Sequence, residues 1–212
     1  MCLCCGRPFI SIVAAQAAKP LCRLCQTGFY AFDRVRSFAI YNDALFEAII
    51  LMKYEEVAPL GHWFGQRLAE IVLQSSPDDW RADVVVPVPL HLDRLRERGY
   101  NQAELIARPL AARLGVKIES SWLVRTKPRP PRLLLSRSER WASVRGAYAI
   151  REGFRVDNRC ILLVDDVLTT GATLDACARV LRKAGASEVR GLTVARIVPG
   201  WSSSQAVAIP GN

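Results

Sequence analysis

Two short apolar runs organise the chain. Asp83-Val84-Val85-Val86-Pro87-Val88-Pro89 and Ile161-Leu162-Leu163-Val164 show no polar alternation, so they read as strands covered on both faces. Prolines end the first of them, because proline cannot join a sheet ladder. A polar stretch and then a helix-period segment follow each run. After the first run come a polar loop, Leu90–Gly99, and a helix opened by Asn101 that runs to about Leu114 and stops at Gly115. After the second come a Gly/Thr loop, a helix from about Ala172 to Ala184, and Gly185 as the stop. Upstream, Asn42 caps a helix to about Lys53, with Ala44, Leu45, Ala48, Ile49, Leu51 and Met52 as its apolar positions. A second helix is expected over Pro59–Leu73, with Pro59 in its first turn. Pro77-Asp78-Asp79 reads as a turn, and Glu188–Val198 as a last strand region. Ser136-x-x-Glu139 is a capping box for a short helix. Two strand–loop–helix units in succession predict an α/β domain built on a parallel sheet.

The cysteines add a second unit. Five of the seven lie in the first 25 residues, and Cys2-x-x-Cys5 and Cys22-x-x-Cys25 form two CxxC pairs. Each pair can present two thiolates from one tight turn, the pattern of a four-cysteine structural zinc site. So short a segment buries little core, and a metal staple would account for its order. Cys4 is surplus to the set. A disulfide framework fits poorly with an odd count and no secretory signal, and a cytoplasmic location is the expectation. Cys160 and Cys177 fall in strand-like and helix-like stretches and read as packing residues. The expected division is a zinc knob over 1–30, an α/β domain over 31–198, and a flexible tail over 199–212.

Charge localises the remaining interest. The formal net charge is +9, and 24 of the 29 cationic residues are arginine. Half the residues are hydrophobic, which excludes a disordered chain, and no apolar run is long enough to span a membrane. Residues 125–159 hold nine Arg and one Lys against Glu139, Glu152 and Asp157. Arginine in excess points to anionic partners, either the phosphates of a small ligand or a nucleic-acid backbone.

The candidate chemistry lies in Val164-Asp165-Asp166-Val167-Leu168-Thr169-Thr170-Gly171-Ala172-Thr173. An apolar strand delivers two carboxylates at its carboxyl end, the edge of a parallel sheet where ligands bind. The Thr/Gly turn then enters a helix whose first N–H groups, with the threonine hydroxyls, suit a phosphate; glycine permits close approach. Carboxylates repel phosphate but accept hydrogen bonds from hydroxyls. A sugar diol between a phosphate and a metal-bound pyrophosphate matches this polarity. Neither a Walker loop nor a GxGxxG fingerprint is present.

LLVDDVLTTGAT resembles the phosphoribosyl-pyrophosphate (PRPP) motif of type I phosphoribosyltransferases. VVVPVPLHLDRLRERGYNQAELIA, the paired CxxC knuckles and Lys53-Tyr54 resemble the ComF family. The resemblance covers roughly residues 1–198. It implies a type I phosphoribosyltransferase-like fold that binds PRPP with Mg2+, and a pentosyl (glycosyl) transferase activity whose acceptor is open. Asp165 and Asp166 would take the ribose hydroxyls; Thr169, Thr170, Gly171, Ala172 and Thr173 would hold the 5′-phosphate. Arg94 and Arg98 would meet the pyrophosphate, with Asn101 and Gln102 bonding nearby or capping the helix. The family also implies a role in DNA uptake during natural competence, with single-stranded DNA and DNA-uptake proteins as partners. Arg125, Lys127, Arg129 and Arg132 are the candidate nucleic-acid contacts, with Trp141 and Tyr148 as candidate stacking rings. The chain departs from the family pattern at Arg132, where Gln is usual, and at Ser143, where Asn is usual. A non-catalytic DNA-binding or PRPP-sensing protein on the same fold is the alternative.

Overall fold

A computed structural model describes residues 1–9, 18–55, 57–128 and 136–199. The centre is a five-stranded sheet of β1 (Arg34–Ile40), β2 (Val84–Pro87), β3 (Lys117–Ile118), β6 (Cys160–Leu168) and β7 (Glu188–Arg196). Its order is β1-β7-β6-β2-β3, with every neighbour parallel. A separate antiparallel ribbon pairs β4 (Leu123–Arg125) with β5 (Tyr148–Ile150).

The unbroken apolar runs are explained by cover on both faces. Ile161 and Leu163 of β6, with Val84 and Val86 of β2, point into one core. That core is shared with α8 (Ala172–Lys183), the β4–β5 ribbon and the cysteine knob. Leu162, Val164 and Val85 point into the other, against α2 (Asp43–Tyr54), α3 (Ala58–Leu73) and α6 (Gln102–Leu114). α3 and α6 approach closely because Gly61 and Gly65 face α6. A Cβ at Gly65 would stand 2.5 Å from the Ile106 carbonyl oxygen.

The expected helices form with their caps. Asn42 Oδ1 accepts from the Leu45 N–H, and Asn101 Oδ1 from the Ala103 N–H. Gly115 takes the left-handed conformation that closes α6. Ser136 and Glu139 form the reciprocal capping box of α7 (Arg137–Val144).

Several elements depart from expectation. The polar loop Leu90–Gly99 is largely helical, as α5 (Leu92–Arg98). His91 Nδ1 accepts from the Asp93 N–H, Arg96 and Arg98 sit in the last turn, and Gly99 closes it at φ 79°. Pro77–Trp80 is a single helical turn, α4, rather than a plain turn. β6 does not stop at Val164 but continues through both acids to Leu168. β1, β3, β4 and β5 were not anticipated.

The amino-terminal knob, with its short helix α1 (Arg23–Gln26), lies along the free edge of β1. The Val35 N–H, turned away from β7, donates to the Cys4 carbonyl oxygen at 2.7 Å. The knob thereby covers an edge that would otherwise expose unpaired backbone groups. No helix among the described residues is long and apolar enough to cross a membrane. The expected tail beyond Pro199 lies outside the described residues.

Candidate functional site

Adjacent residues of a strand face opposite ways, and the acid pair obeys this. Asp165 is half-buried on the α8 side, near Cys177 and Tyr148. Asp166 is turned to the other side, only 6 % exposed, with its carboxylate 2.7 Å from Lys53 Nζ of α2. Burial raises the Asp166 pKa. The Lys53 charge, with hydrogen bonds from Lys53, the Val167 N–H and Gln102, more than offsets this and holds the group below the usual carboxylate range. The two acids share a strand end but not a face, and Asp166 is committed to Lys53.

The turn after β6 carries Thr169 and Thr170 into α8 through Gly171 at φ 82°. The Ala172 N–H donates to Thr170 Oγ1 at 3.3 Å. Behind the turn, Tyr30 donates its hydroxyl to the Thr170 carbonyl oxygen at 2.9 Å. Its ring lies 2.9 Å from where a Gly171 Cβ would stand, so the turn has both the wrong φ and no room for a larger residue. Asp175, 2 % exposed on α8, accepts from the Ala31 N–H and from Arg179 Nε, both at 2.7 Å. Arg179 also donates to the Phe29 carbonyl oxygen. Residues 29–31 are thus clamped to the first turns of α8. Sequence reasoning missed Tyr30 and Asp175, whose partners lie about 140 residues away.

Arg94 and Arg98, one turn apart on α5, line a small cavity with Lys53, Tyr54, Glu97 and Tyr100. Its volume is about 100 Å³. The Arg98 guanidinium lies 4.9 Å from the Tyr54 ring centroid and donates to Gln102 Oε1 at 2.6 Å. Arg94 pairs with Glu97 at 2.9 Å. Because β2 and β6 are neighbours, this cavity and the acid pair occupy the same carboxyl edge of the sheet. Asn101 both caps α6 and donates to the Val88 carbonyl oxygen, fixing the chain between β2 and α6.

The four cysteines of the two CxxC pairs meet: the sulfurs of Cys2, Cys5, Cys22 and Cys25 all lie within 4.8 Å of one another. A tetrahedral Zn2+ with bonds of about 2.3 Å requires sulfurs about 3.8 Å apart. The Cys5–Cys22 separation is 3.8 Å. The donor set fits zinc. Thiol contacts with Cys25 and Cys5 hold Cys2 toward the thiolate, and the same contact with Cys2 pushes Cys25 up. Cys4 stands outside the set, directed at the Phe32 carbonyl oxygen at 3.9 Å, though it still reaches Cys25. Arg196 donates to the Cys5 carbonyl oxygen and lies 3.7 Å from its sulfur.

The basic segment is less open than its charge suggests. Arg125 donates to the Tyr148 hydroxyl at 2.9 Å and to the Lys127 carbonyl oxygen at 3.0 Å. Lys127 Nζ donates to the Arg145 carbonyl oxygen at 3.1 Å. Tyr148 is a buried core residue rather than a stacking platform, and Trp141 packs edge-on against Phe29. Arg129 and Arg132 lie outside the described residues. Ser143 turns its hydroxyl back to the Arg140 carbonyl oxygen within α7.

Several known proteins resemble this chain. A profile of the phosphoribosyl transferase domain family matches residues 96–206, more than half of the chain. The chain is 30 % identical over 141 residues to Competence protein F of Haemophilus influenzae, covering 63 % of this chain and 62 % of that protein. It is 33 % identical over 108 residues to the DNA utilization protein YhgH of Escherichia coli, covering 51 % and 47 %. The chain thus spans less than two thirds of either relative. Competence protein ComFC of Bacillus subtilis is 31 % identical over 210 residues, covering 92 % of this chain and 78 % of that protein. Among solved structures, the glutamine PRPP amidotransferase of B. subtilis aligns at TM-score 0.41 and 24 % identity, over 62 % of this chain and 26 % of its own. Adenine phosphoribosyltransferase of Leishmania tarentolae aligns at 0.42 and 16 %, over 69 % and 74 %. The profile covers the segment that builds the acid pair and the threonine turn, and the Bacillus protein aligns over nine tenths of the chain, so the chain belongs to the phosphoribosyl transferase domain family, among its ComF-type members.

Proposed function

We propose that the protein binds PRPP with Mg2+ at the carboxyl edge of β6 and β2 and acts in DNA uptake as a phosphoribosyltransferase-like protein. The observation that carries this is the placement of three kinds of group along one sheet edge. Asp165 lies in the carboxyl-terminal part of β6, the Thr169–Thr173 turn opens α8, and the Lys53–Arg94–Arg98 cavity lies at the neighbouring strand. The N–H groups and hydroxyls of the turn would hold a 5′-phosphate. Asp165 would accept from a ribose hydroxyl. Asp166 would serve first by holding Lys53, and would reach the diol only if that pair opened. Arg94 and Arg98 would neutralise pyrophosphate, and a divalent ion bound with it would further stabilise the leaving group's charge.

In transfer, the bond from the anomeric carbon to pyrophosphate breaks, the acceptor's nucleophile bonds to that carbon, and the acceptor loses a proton. Departure from an oxocarbenium-like sugar needs charge at the leaving group more than a strong base, and Lys53, Arg94 and Arg98 line the cavity at this edge.

The role in DNA uptake rests on the relatives named as competence and DNA utilization proteins. Placement in the cytoplasm belongs to this reading, as does a division into a knob over 1–30 and a main unit over 31–198.

The test is a thermal-shift and calorimetric titration of PRPP with Mg2+ against wild type, Asp165→Asn and Asp165→Asn/Asp166→Asn. Saturable binding lost in both variants supports the site; binding unchanged in both refutes it. Pyrophosphate release across candidate acceptors then separates turnover from sensing.

A further inference from the structure

A cleft of about 580 Å³ lies between the cysteine knob, α7 and the threonine turn. Five arginines line it, from four separate parts of the chain: Arg7 and Arg23 beside the two knuckles, Arg137 and Arg140 on α7, and Arg196 at the end of β7. No acidic residue is among its described lining residues. Cys5 and Cys22 also reach the cleft. A four-thiolate site holding a divalent ion carries only two net negative charges, so five guanidiniums leave the cleft positive.

Bringing like charges from four segments to one concavity raises the energy of the fold unless a counter-charge enters it. The counter-charge has a location. The cleft is bounded at one end by Thr169 and Thr170 of the turn proposed to hold a 5′-phosphate. Its volume is that of a pocket for one ligand of nucleotide size. Tyr30 is the one aromatic ring in its described lining, so a nucleobase would find a single stacking surface there against five guanidiniums.

We infer that the ligand seated beside the phosphoribosyl group is itself rich in phosphate, held by Arg7, Arg23, Arg137 and Arg140. This rests on the reading above, since it takes the threonine turn as the phosphate end of the same site. The shared chemistry is a chain of phosphates, supplied either by a free polyphosphorylated compound or by a short stretch of nucleic-acid strand.

The experiment titrates inorganic tripolyphosphate and a 5′-phosphorylated single-stranded tetranucleotide against the whole chain at two salt concentrations. The variants are Arg7→Ala/Arg23→Ala and Arg137→Ala/Arg140→Ala, with Arg137→Lys/Arg140→Lys to retain charge. Arg108→Ala/Arg155→Ala removes two charges outside the cleft. Expected is salt-sensitive binding of tripolyphosphate that each cleft Ala pair weakens by about tenfold or more, the Lys pair largely preserves, and the outside pair leaves within about twofold. Tighter binding of the tetranucleotide than of tripolyphosphate, with the same variant pattern, assigns the phosphates to a strand; the reverse order assigns them to a small compound. Equal loss from cleft and outside pairs, or no loss from either cleft pair, overturns the inference. PRPP titrated in parallel separates the two claims. If PRPP fails to bind wild type while tripolyphosphate binding still depends on the cleft arginines, the phosphoribosyl reading falls and the cleft stands.

Discussion

The Lys53–Asp166 pair offers a prediction whose size follows from burial. The two side chains are 20 % and 9 % exposed. Replacing Lys53 by Met keeps the side-chain volume and strands a carboxylate among apolar atoms of α2, α6 and β6. Breaking a buried pair from one side costs about 3–5 kcal/mol. Two features place Lys53→Met at the lower end. The Val167 N–H and the Gln102 side chain stay beside Asp166 and favour its charged form. The carboxyl can also escape by taking a proton. At pH 7 that escape costs about 4 kcal/mol, three pH units above a usual carboxylate value near 4, and this caps the loss. The expected destabilisation is about 3 kcal/mol, a drop in Tm of about 6–12 °C for a chain of this length.

The pH dependence has a definite sign. In the wild type the folded pKa of Asp166 lies below its unfolded value. The stability it contributes is therefore full above the usual carboxylate range and is lost only as pH falls through the folded value. Between pH 7 and 5 the wild-type contribution is constant. In Lys53→Met the pKa is raised instead, so the penalty shrinks as pH falls toward 5, to about 1.5 kcal/mol. Lys53→Met/Asp166→Asn removes the stranded charge and should recover to within about 1 kcal/mol of wild type at pH 7. Urea unfolding followed by circular dichroism at pH 7 and pH 5 measures all three proteins. A single variant no less stable than the double at pH 7, or a deficit that fails to narrow at pH 5, refutes the account.

Three further outcomes are expected. Gly65→Ala should destabilise by about 1–3 kcal/mol, because its Cβ meets the Ile106 carbonyl oxygen and Pro109; denaturant midpoints check this, and an unchanged midpoint would show that α3 and α6 can separate freely. Chelating the metal, or Cys22→Ser, should remove about one zinc per chain by elemental analysis and strip hydrogen-exchange protection from the Val35 amide, with the β6 amides still protected. Gly171→Ala should leave the bulk fold intact by circular dichroism yet weaken PRPP binding by about tenfold or more, since the turn must abandon φ 82° and displace the Tyr30 ring.

What could be read from the chain depended on whether an element's partners lay nearby. The core of β6 was legible because a strand covered on both faces becomes an unbroken apolar run, and α6 because Asn101 and Gly115 mark its ends. α5 was missed because it buries no residue and so has no apolar stripe; its helical signals were only a cap, a favourable charge order and Gly99. β1 was missed for a related reason: only Val35 is fully buried, so the segment has no apolar run. The division of labour between Asp165 and Asp166 was hidden by one boundary. Ending the strand at Val164 puts both acids in a loop, where adjacent side chains can converge on one ligand. Extending it to Leu168 forces them to opposite faces. The engagement of Arg125 was not legible, because Tyr148 is brought beside it only by the β4–β5 ribbon.

The knob illustrates how a small unit can matter to a site built mainly by the sheet. Its tethers go to three different parts of the sheet's edge: the Cys4 carbonyl to Val35 of β1, the Cys5 carbonyl to Arg196 of β7, and Tyr30 to the turn after β6. The first two fix the knuckles against strands, which are rigid. The third ends on the turn at Gly171, whose carbonyl oxygen also accepts from the Asp175 N–H at the start of α8. The knob is thus held at β1 and β7, and it meets Thr170 through the hydroxyl of Tyr30, whose ring stacks on Phe32 with centroids 4.4 Å apart and whose neighbours Phe29 and Ala31 are tied to α8. A metal site that orders the knuckles would in this way also order the phosphate end of the proposed ligand site. It would simultaneously set the positions of Arg7 and Arg23 on the wall of the cationic cleft. The cysteine knuckles, the turn and the cleft form one mechanical unit, although the sequence separates the second knuckle from the turn by about 140 residues.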